Sequence, residues 1–581
     1  MPKGTEKPAD HSVAGSPRQV ASVMPASSLP PGWAWTTLGE ITSPSEARAD
    51  PSDLPADMSY VGLEHIEKDT GRLLGYGHAQ DVRSTKTLFR AGDVLYGKLR
   101  PYLNKVCIPD FDGVCSTDIL VFPKRDFLCN RFLKYRLLAS DFVRFASLNV
   151  SGVQHPRVHF KTLAQFRVAL PPLPEQRRIV ARIEELFSQL DAAEEGLRRV
   201  QRNLKRYRAA VLKAAVKGRL VPTEAELARA EGRPYETGVA LLQRILAERR
   251  RKWEEREWAK LVEKAKKKAA QARRKARGLP ARIKDIPPEE WQAIPESEYR
   301  RYLPKDDRWK QKYKEPTPPD TSTLSPLPEG WVWATVEMLT WHVTSGSRGW
   351  AKYYAPEGAL FVRVGNFQRG TIELDLENVA FVQPPSSSET MRTALQENDV
   401  LITITADVGM VGVVDRRVLA WGQAYINQHV CLTRPVIPQL SPFIGYAIAS
   451  QPGQKQVEEK QYGATKKGLG LEDVKEIIVP LPPLAEQRRI VAEVERRLSV
   501  VREAEKAVET NLKRIARLRQ AILKRAFEGK LVPQDPSDEP AEVLLERIRK
   551  QSRAKRPAVE PASAPRKAGL MSLFEEEGGQ S

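Results

Sequence analysis

Apolar residues recur in one stretch of this chain at alternating steps of four and three: Ile179, Ile183, Leu186, Leu190, Ala193, Leu197, Val200, Leu204, Tyr207 and Val211. That spacing is the a/d seam of a coiled coil, an apolar stripe along one helix face. Pro171, Pro172 and Pro174 hold off the helix until Glu175, and no proline follows before Pro222. A second stretch repeats the stripe with Ile490, Val494, Val501, Ala504, Val508, Ile515, Leu518 and Ile522, interrupted by Arg497 and Asn511. Each stretch predicts a helix of about 42 residues, roughly 60 Å long. Gly218 and Gly529 are its stops. A helix with so long an apolar stripe needs a partner, and the other copy is the obvious one. Antiparallel pairing would put one domain at each end; parallel pairing, or pairing with another subunit, stays open.

The periodicity repeats because the sequence repeats. LPPLPEQRRIVA at 170–181 returns as LPPLAEQRRIVA at 481–492, and GRLVP at 218–222 returns as GKLVP at 529–533. The offset is 311 from Leu170 to Leu481 and still 311 from Gly218 to Gly529, so no gap is needed. Upstream, GWAW at 32–35 matches GWVW at 330–333; downstream, LLQRI at 241–245 answers LLERI at 544–548. Between these landmarks lie short β-like runs broken by Gly, Pro and Asp, such as DVLYGKL (93–99), DILVF (118–122), LFVRVG (360–365) and DVLITIT (399–405). Two similar ends around two dissimilar middles suggest one scaffold presenting two different readers.

The resulting reading is an α+β chain with an internal pseudo-repeat: two domains of mixed α/β character joined by two long, antiparallel coiled-coil helices. A disordered tail spans 1–28, the first domain 29–169 and the first helical region 170–249. An insertion covers 250–326, the second domain 327–480, the second helical region 481–550 and a disordered tail 551–581. Within the insertion, 249–277 is a Lys/Arg/Glu/Ala helix, and 286–319 is proline-rich with Trp291, Tyr302, Trp309 and Tyr313. It reads as a solvated helix plus a linker, with a DNA or partner contact as the alternative. Leu570, Leu573 and Phe574 near the end form a short apolar cluster that reads as inert tail, with a docking peptide as the alternative.

Charge changes the picture. With 93 Lys and Arg against 73 Asp and Glu the formal net charge is +20, which argues for a polyanionic partner, most simply nucleic acid. Cys107, Cys115, Cys129 and Cys431 have no metal-ligand spacing, so they read as reduced thiols of a cytoplasmic protein. No apolar run is long enough for a membrane span, and the N-terminus lacks a signal-type apolar region. No phosphate loop, GxGxxG, HExxH or GxSxG motif occurs, nor the Asn-Pro-Pro-Tyr/Phe segment of an amino-methyltransferase. The expectation is a binding subunit with no catalytic residue, metal or cofactor of its own.

Candidate nucleic-acid contacts mix cations with amides, imidazoles and rings, as phosphate anchoring plus base-edge reading requires. In the first domain they are Lys98, Arg100, Tyr102, Asn104 and Lys105, and Gln154, His155, Arg157, His159 and Lys161 just before the helix. In the second domain they are Arg363, Asn366, Gln368 and Arg369, then Asn427, Gln428 and His429, then Thr465, Lys466 and Lys467. Gly152 falls on Gly463 at the same offset of 311. Where the first domain has YGKLRP (96–101) the second has ITITAD (402–407), a less basic loop, so the two readers should differ.

The duplicated LPPL(P/A)EQRRIVA openings, their helices, the G(R/K)LVP endings and the GWxW starts resemble the specificity subunit of Type I restriction-modification systems. The resemblance covers about 29–550. It implies two target recognition domains, each reading one half of a bipartite double-stranded DNA target. The helices would set the spacer, about 5–8 base pairs if the readers sit one helical turn apart, and dock two modification subunits. Those subunits would carry S-adenosylmethionine for adenine-N6 methylation, and restriction subunits would add ATP- and Mg-dependent cleavage. The alternatives are a system whose partner fuses methylation and cleavage, or a non-specific coiled-coil scaffold.

Overall fold

The computed structural model describes residues 28–346, 348–463 and 467–554. The tails assigned to 1–28 and 551–581 fall almost wholly outside these residues, as does the apolar cluster at 570–574. The helix Ala541–Ala554 runs past the boundary placed at 550. The chain divides into two compact units: one of residues up to Gly196 together with those from Thr510 on, the other Leu197–Glu509.

Both units are built on the same chain path. In the first, strand Ala34–Thr37 pairs antiparallel with Arg167–Leu170, Ala34 opposite Leu170. In the second, Val332–Thr335 pairs with Ile478–Leu481, Val332 opposite Leu481. Each unit has a short parallel pair, Ser59–Val61 with Gly113–Cys115 and Ala359–Val362 with Ala424–Ile426. Each also has an antiparallel pair, Val94–Gly97 with Ile119–Phe122 and Val400–Thr403 with Val430–Pro435. Two nine-residue helices follow, Asn130–Leu138 and Ser140–Leu148, then Ser441–Ala449 and Gln451–Glu459. Their starts keep the offset of 311. The middles are therefore dissimilar in side chains and alike in backbone.

The long helices are Leu173–Ala215 and Leu484–Phe527. In the first unit Ile179, Ile183 and Phe187 share a core with Leu523, Ala526, Leu544, Leu545 and Ile548. In the second, Ile490, Val494 and Leu498 share one with Val211, Leu212, Ala215, Leu241, Leu242 and Ile245. In each unit, then, the start of one long helix packs on the end of the other, which makes the two segments antiparallel. The repeated LLxRI segments close that core.

The seam itself differs from the heptad reading. Leu186, Leu190, Leu197 and Leu204 are half-buried, and Ala193, Val200, Tyr207 and Leu518 are exposed. At the Arg497 interruption the buried residue is Leu498, and near the end Arg519 and Leu523 are buried where Leu518 and Ile522 were expected. A straight helix drifts about 20° per heptad from a strict 3.5-residue repeat, which moves the buried stripe by one position over several heptads. Arg519 is tolerated because it pairs with Asp191 and, at 2.9 Å, Glu194.

The repeated EQ has a structural cause. Glu175 and Gln176, and Glu486 and Gln487, are buried in the first turn of each helix. Trp33 Nε1 donates to Glu175 Oε2 and Trp331 Nε1 to Glu486 Oε1, both at 3.0 Å. Gln176 and Gln487 Nε2 donate to the carbonyls of Pro171 and Pro482 at 3.0 and 2.8 Å. The second carboxylate oxygens reach the end of the opposite repeat: Gln534 Nε2 donates to Glu175 at 3.3 Å and the Glu224 amide to Glu486 at 2.8 Å. Burial pushes both carboxyls above the usual range. Gly218 and Gly529 adopt φ of 62° and 68°, and a Cβ there would run into Pro328 and Pro30 of the GWxW approaches.

The insertion is not a helix followed by a linker. One helix, Gly238–Ala276, continues from the repeated region, and the proline-rich segment returns along it. Ile286 and Ile294 pack on Ala269 and Ala270, with Trp291, Tyr299 and Tyr302 beside them. Farther back, Trp309 lies against Trp253 and Trp258, and Tyr313 Oη accepts from Arg249 at 2.8 Å. The predicted spread of aromatics is thus a row of staples on a two-layered arm.

Glu486→Ala would leave the buried Trp331 indole and Glu224 amide without acceptors, at about 1–3 kcal/mol each. The expected result is a urea midpoint lowered by at least about 2 kcal/mol equivalent for the transition of the second unit, with a smaller loss for Trp331→Phe.

Candidate nucleic-acid interface

In each unit three loop segments converge on one backbone junction. In the first, Lys98 N donates to Asp118 O at 2.9 Å and Val158 N to Lys98 O at 3.1 Å, while Ser151 and Arg157 exchange backbone bonds at 2.8 and 2.9 Å. In the second, Ile404 N donates to His429 O at 2.8 Å and Leu469 N to Ile404 O at 2.9 Å, while Tyr462 and Gly468 exchange bonds at 3.0 and 2.9 Å. The equivalences 118/429, 151/462, 157/468 and 158/469 all keep the offset of 311. Each junction also holds a strained residue: Arg100 at φ 51° and Ala406 at φ 68°, non-glycine positions in the left-handed region. Arg100 N donates to Pro156 O at 2.7 Å, which ties that turn to the hairpin.

The first junction gathers most of the candidate side chains from both segments. Arg100, Gln154, His155, His159 and Lys161 are exposed, and Lys98 is half-buried. Tyr102 is 52% exposed, and Val153, at the hairpin tip, is 99% exposed. His159 Nε2 lies 3.2 Å from Ser151 Oγ. Arg157 is not a free cation: it makes a two-pronged pair with Asp118 at 2.8 and 3.1 Å, which raises its pKa further. Asn104 is buried, its amide donating to Asp69 and to Leu138 O, both at 3.2 Å, so it shapes the loop and faces no groove. Lys105 Nζ is held by Leu63 O at 2.6 Å. Asp118 was missed because only its strand, and not the loop before it, was visible in the pattern.

The second junction carries different chemistry. His429 Nδ1 meets Thr405 Oγ1, and Gln428 and Lys467 are exposed. The Asn427 side chain accepts from the His429 amide at 3.1 Å. Tyr462, not among the candidates, is 60% exposed. Thr465 and Lys466 lie outside the described residues. The cluster from Arg363 to Arg369 lies on a separate segment that reaches the junction turn through Arg369, whose partner Asp407 follows Ala406. Asn366 is buried and bonds Asp375 O at 2.8 Å, and Gln368 bonds the Asp375 carboxylate at 3.1 Å. Arg369 pairs with Asp407 and donates to Gln454 at 3.2 Å. A Cβ on Gly370 would meet Arg208 of the long helix, so this segment packs against the helices. Arg363 donates its amide to Asn366 Oδ1 at 2.9 Å. Asn366 holds the loop from inside, whereas Gln368 and Arg369 are exposed and Arg363 is half-buried; their Arg/Asn/Gln composition alone did not separate the inward residue from the outward ones.

Among the described residues no cluster of His, Cys, Asp or Glu could hold a metal, and no helix is long and apolar enough to cross a membrane. Burial pushes the thiols of Cys107, Cys115 and Cys431 up to about 12, far from a reactive thiolate. The junctions present cations, imidazoles, amides and phenols on a hydrogen-bonded backbone.

Residues 56–200 and 375–511 match the family described as the Type I restriction modification DNA specificity domain. The chain is 33% identical over 228 residues to the Type I restriction enzyme EcoDI specificity subunit of Escherichia coli, covering 38% of this chain and 50% of that protein. It is 24% identical over 450 residues to the Type I restriction enzyme EcoBI specificity subunit of Escherichia coli, covering 76% and 75%. The chain thus spans about half the length of the first relative. A solved structure described as the basis of complex assembly and conformational transition of the type I R-M system shares the fold. Its TM-score is 0.52 at 22% identity, covering 87% of this chain and 100% of that one.

The left-handed turns separate stability from binding. Arg100→Gly and Ala406→Gly each relieve about 1 kcal/mol of backbone strain, so thermal melting should be unchanged or slightly higher. Arg100→Gly should at the same time weaken binding to duplex DNA, read by fluorescence anisotropy.

Proposed function

We propose, for a chain that carries two Type I restriction modification DNA specificity domains, that it is the DNA sequence-recognition subunit of such a complex. Each unit reads one half of a bipartite double-stranded target through its junction. The two long helices set the spacer between the half-sites and dock two modification subunits. The chain itself performs no chemistry. Adenine methylation from S-adenosylmethionine belongs to the modification subunits, and ATP- and Mg-dependent cleavage to restriction subunits.

One observation supports this reading above the rest: the same backbone junction occurs twice with different side chains. A scaffold without sequence preference has no use for two copies of a strained, solvent-facing loop cluster that share these backbone bonds and present different side chains. The first junction has Lys98, Arg100, Gln154 and His155; the second has Thr405, Gln428, His429 and Lys467. Such a difference gives two unlike half-sites, with backbone contacts positioning the protein and side chains reading base edges.

The test is the methylome of a methylation-free bacterial host that expresses this chain with its neighbouring modification gene. A bipartite motif with N6-methyladenine in both halves is the expected result, and replacing residues 29–169 should change one half only. A soluble complex that leaves the genome unmethylated would defeat the proposal. Gln154→Ala should cost about 1–3 kcal/mol at one position of the target, while Lys98→Ala should weaken all sequences alike.

A further inference from the structure

The far end of the arm has a charge pattern that target reading does not use. Residues 264–284 contain ten Lys and Arg and no Asp or Glu. Four of the ten are matched by neighbours. Arg273 pairs with Glu298 at 3.4 Å and Arg274 with Glu290 at 2.6 Å. Lys267 pairs with Glu263 at 2.5 Å and lies over the Trp291 ring, and Lys266 donates to Gln292 O at 3.1 Å and lies over Tyr299. The other six, Lys264, Lys268, Lys275, Arg277, Arg282 and Lys284, are exposed, with no ion-pair partner among the described residues.

Their placement is ordered. At about 100° per residue, Lys264, Lys268 and Lys275 fall within about 40° of one another. Ala265, Ala269 and Ala270 are buried on the other side, against the returning segment. Lys264 and Lys275 are separated by about 16 Å along the helix. The chain then turns at Gly278, φ 67°, and adds Arg282 and Lys284 on the way back.

We propose that this end of the arm grips the phosphate backbone of double-stranded DNA, adding affinity without sequence information. The inference rests on the recognition reading for the presence of a duplex. A cationic face without interleaved acids suits a ligand that is itself uniformly charged. Duplex DNA carries one negative charge per about 1.7 Å of axis, so the face meets several phosphates in any register. Counterion release then favours binding whatever the sequence.

The experiment uses the full chain with all six cations replaced by Gln, and a charge-keeping control, Lys264→Arg with Lys268→Arg and Lys275→Arg. Affinity for a short duplex of arbitrary sequence is measured against salt concentration. The expected plot of log affinity against log salt is shallower by about 0.9 for each phosphate that the Gln variant no longer neutralises, the control overlays the unaltered chain, and the methylated motif is unchanged. An unchanged slope overturns the proposal. So does an unchanged slope combined with loss of the co-purifying modification subunit on Leu279→Ser with Ile283→Ser, the two half-exposed aliphatics at the turn; that result would make the arm a protein dock. If the unaltered chain itself directs no motif, the recognition reading fails, while the slope comparison still decides the arm.

Discussion

The buried carboxylate at the start of each long helix is the contact on which the architecture depends. Glu175 and Glu486 sit where a charge is costly, and each is kept by two donors from distant parts of the chain: the tryptophan that opens the same repeat and a group that follows the opposite helix. One side chain thereby binds three segments: the domain's first strand, the helix that leaves the domain, and the end of the helix that arrives. An apolar residue there would fill the space but would not specify which three segments meet. The hydrogen bonds tie the three segments at one point, beside the core in which the start of one long helix packs on the end of the other.

This explains which parts of the fold were legible in the sequence. Trp33, Glu175, Gln176 and Gly218, with their counterparts, recur because buried hydrogen bonds and left-handed turns tolerate few substitutes. The strands and short helices of the two middles follow one path, yet little of that repeat was visible beyond Gly152 with Gly463 and the segments at 96–101 and 402–407. Val94–Gly97 and Val400–Thr403 need only be apolar and extended, a requirement many sequences meet. The seam was legible in outline and slipped in detail, because a strict heptad pattern ignores the drift that places Arg519 rather than Leu518 inside.

The candidate site was legible as loops and much less so as side chains. The segments at 96–105 and 151–161 do meet in one junction, as do their counterparts at 402–407 and 462–468. Asn104 and Asn366 have the chemistry of base readers and the placement of loop staples, and nothing in local sequence separates the two roles, since both ask for an amide in a tight turn. Arg157 shows a further limit: its charge is evident in the sequence, but its neutralisation by Asp118, 39 positions away, follows only from the backbone junction.

The junction also shows how one fold can serve unlike half-sites. Its geometry is fixed by backbone-to-backbone bonds, so side chains at 98, 100, 154 and 155, or at 405, 428, 429 and 467, are exchangeable without loss of the fold. The left-handed turn persists whether it carries Arg100 or Ala406, although an unbranched alanine gains nothing from that conformation. A strained turn kept in both units with such different residues argues that the path of the loop, rather than its side chain, is the inherited feature. The arm belongs to the same logic. The second unit continues from its LLxRI helix into the arm and back to its own GWxW start. The Gly238 amide bonds Gly330 O and the Ala541 amide bonds Gly32 O, so the GWxW start meets the LLxRI helix in the same way in both units. An insertion there extends the chain without disturbing either junction, which leaves the arm free to carry charge that the readers do not need.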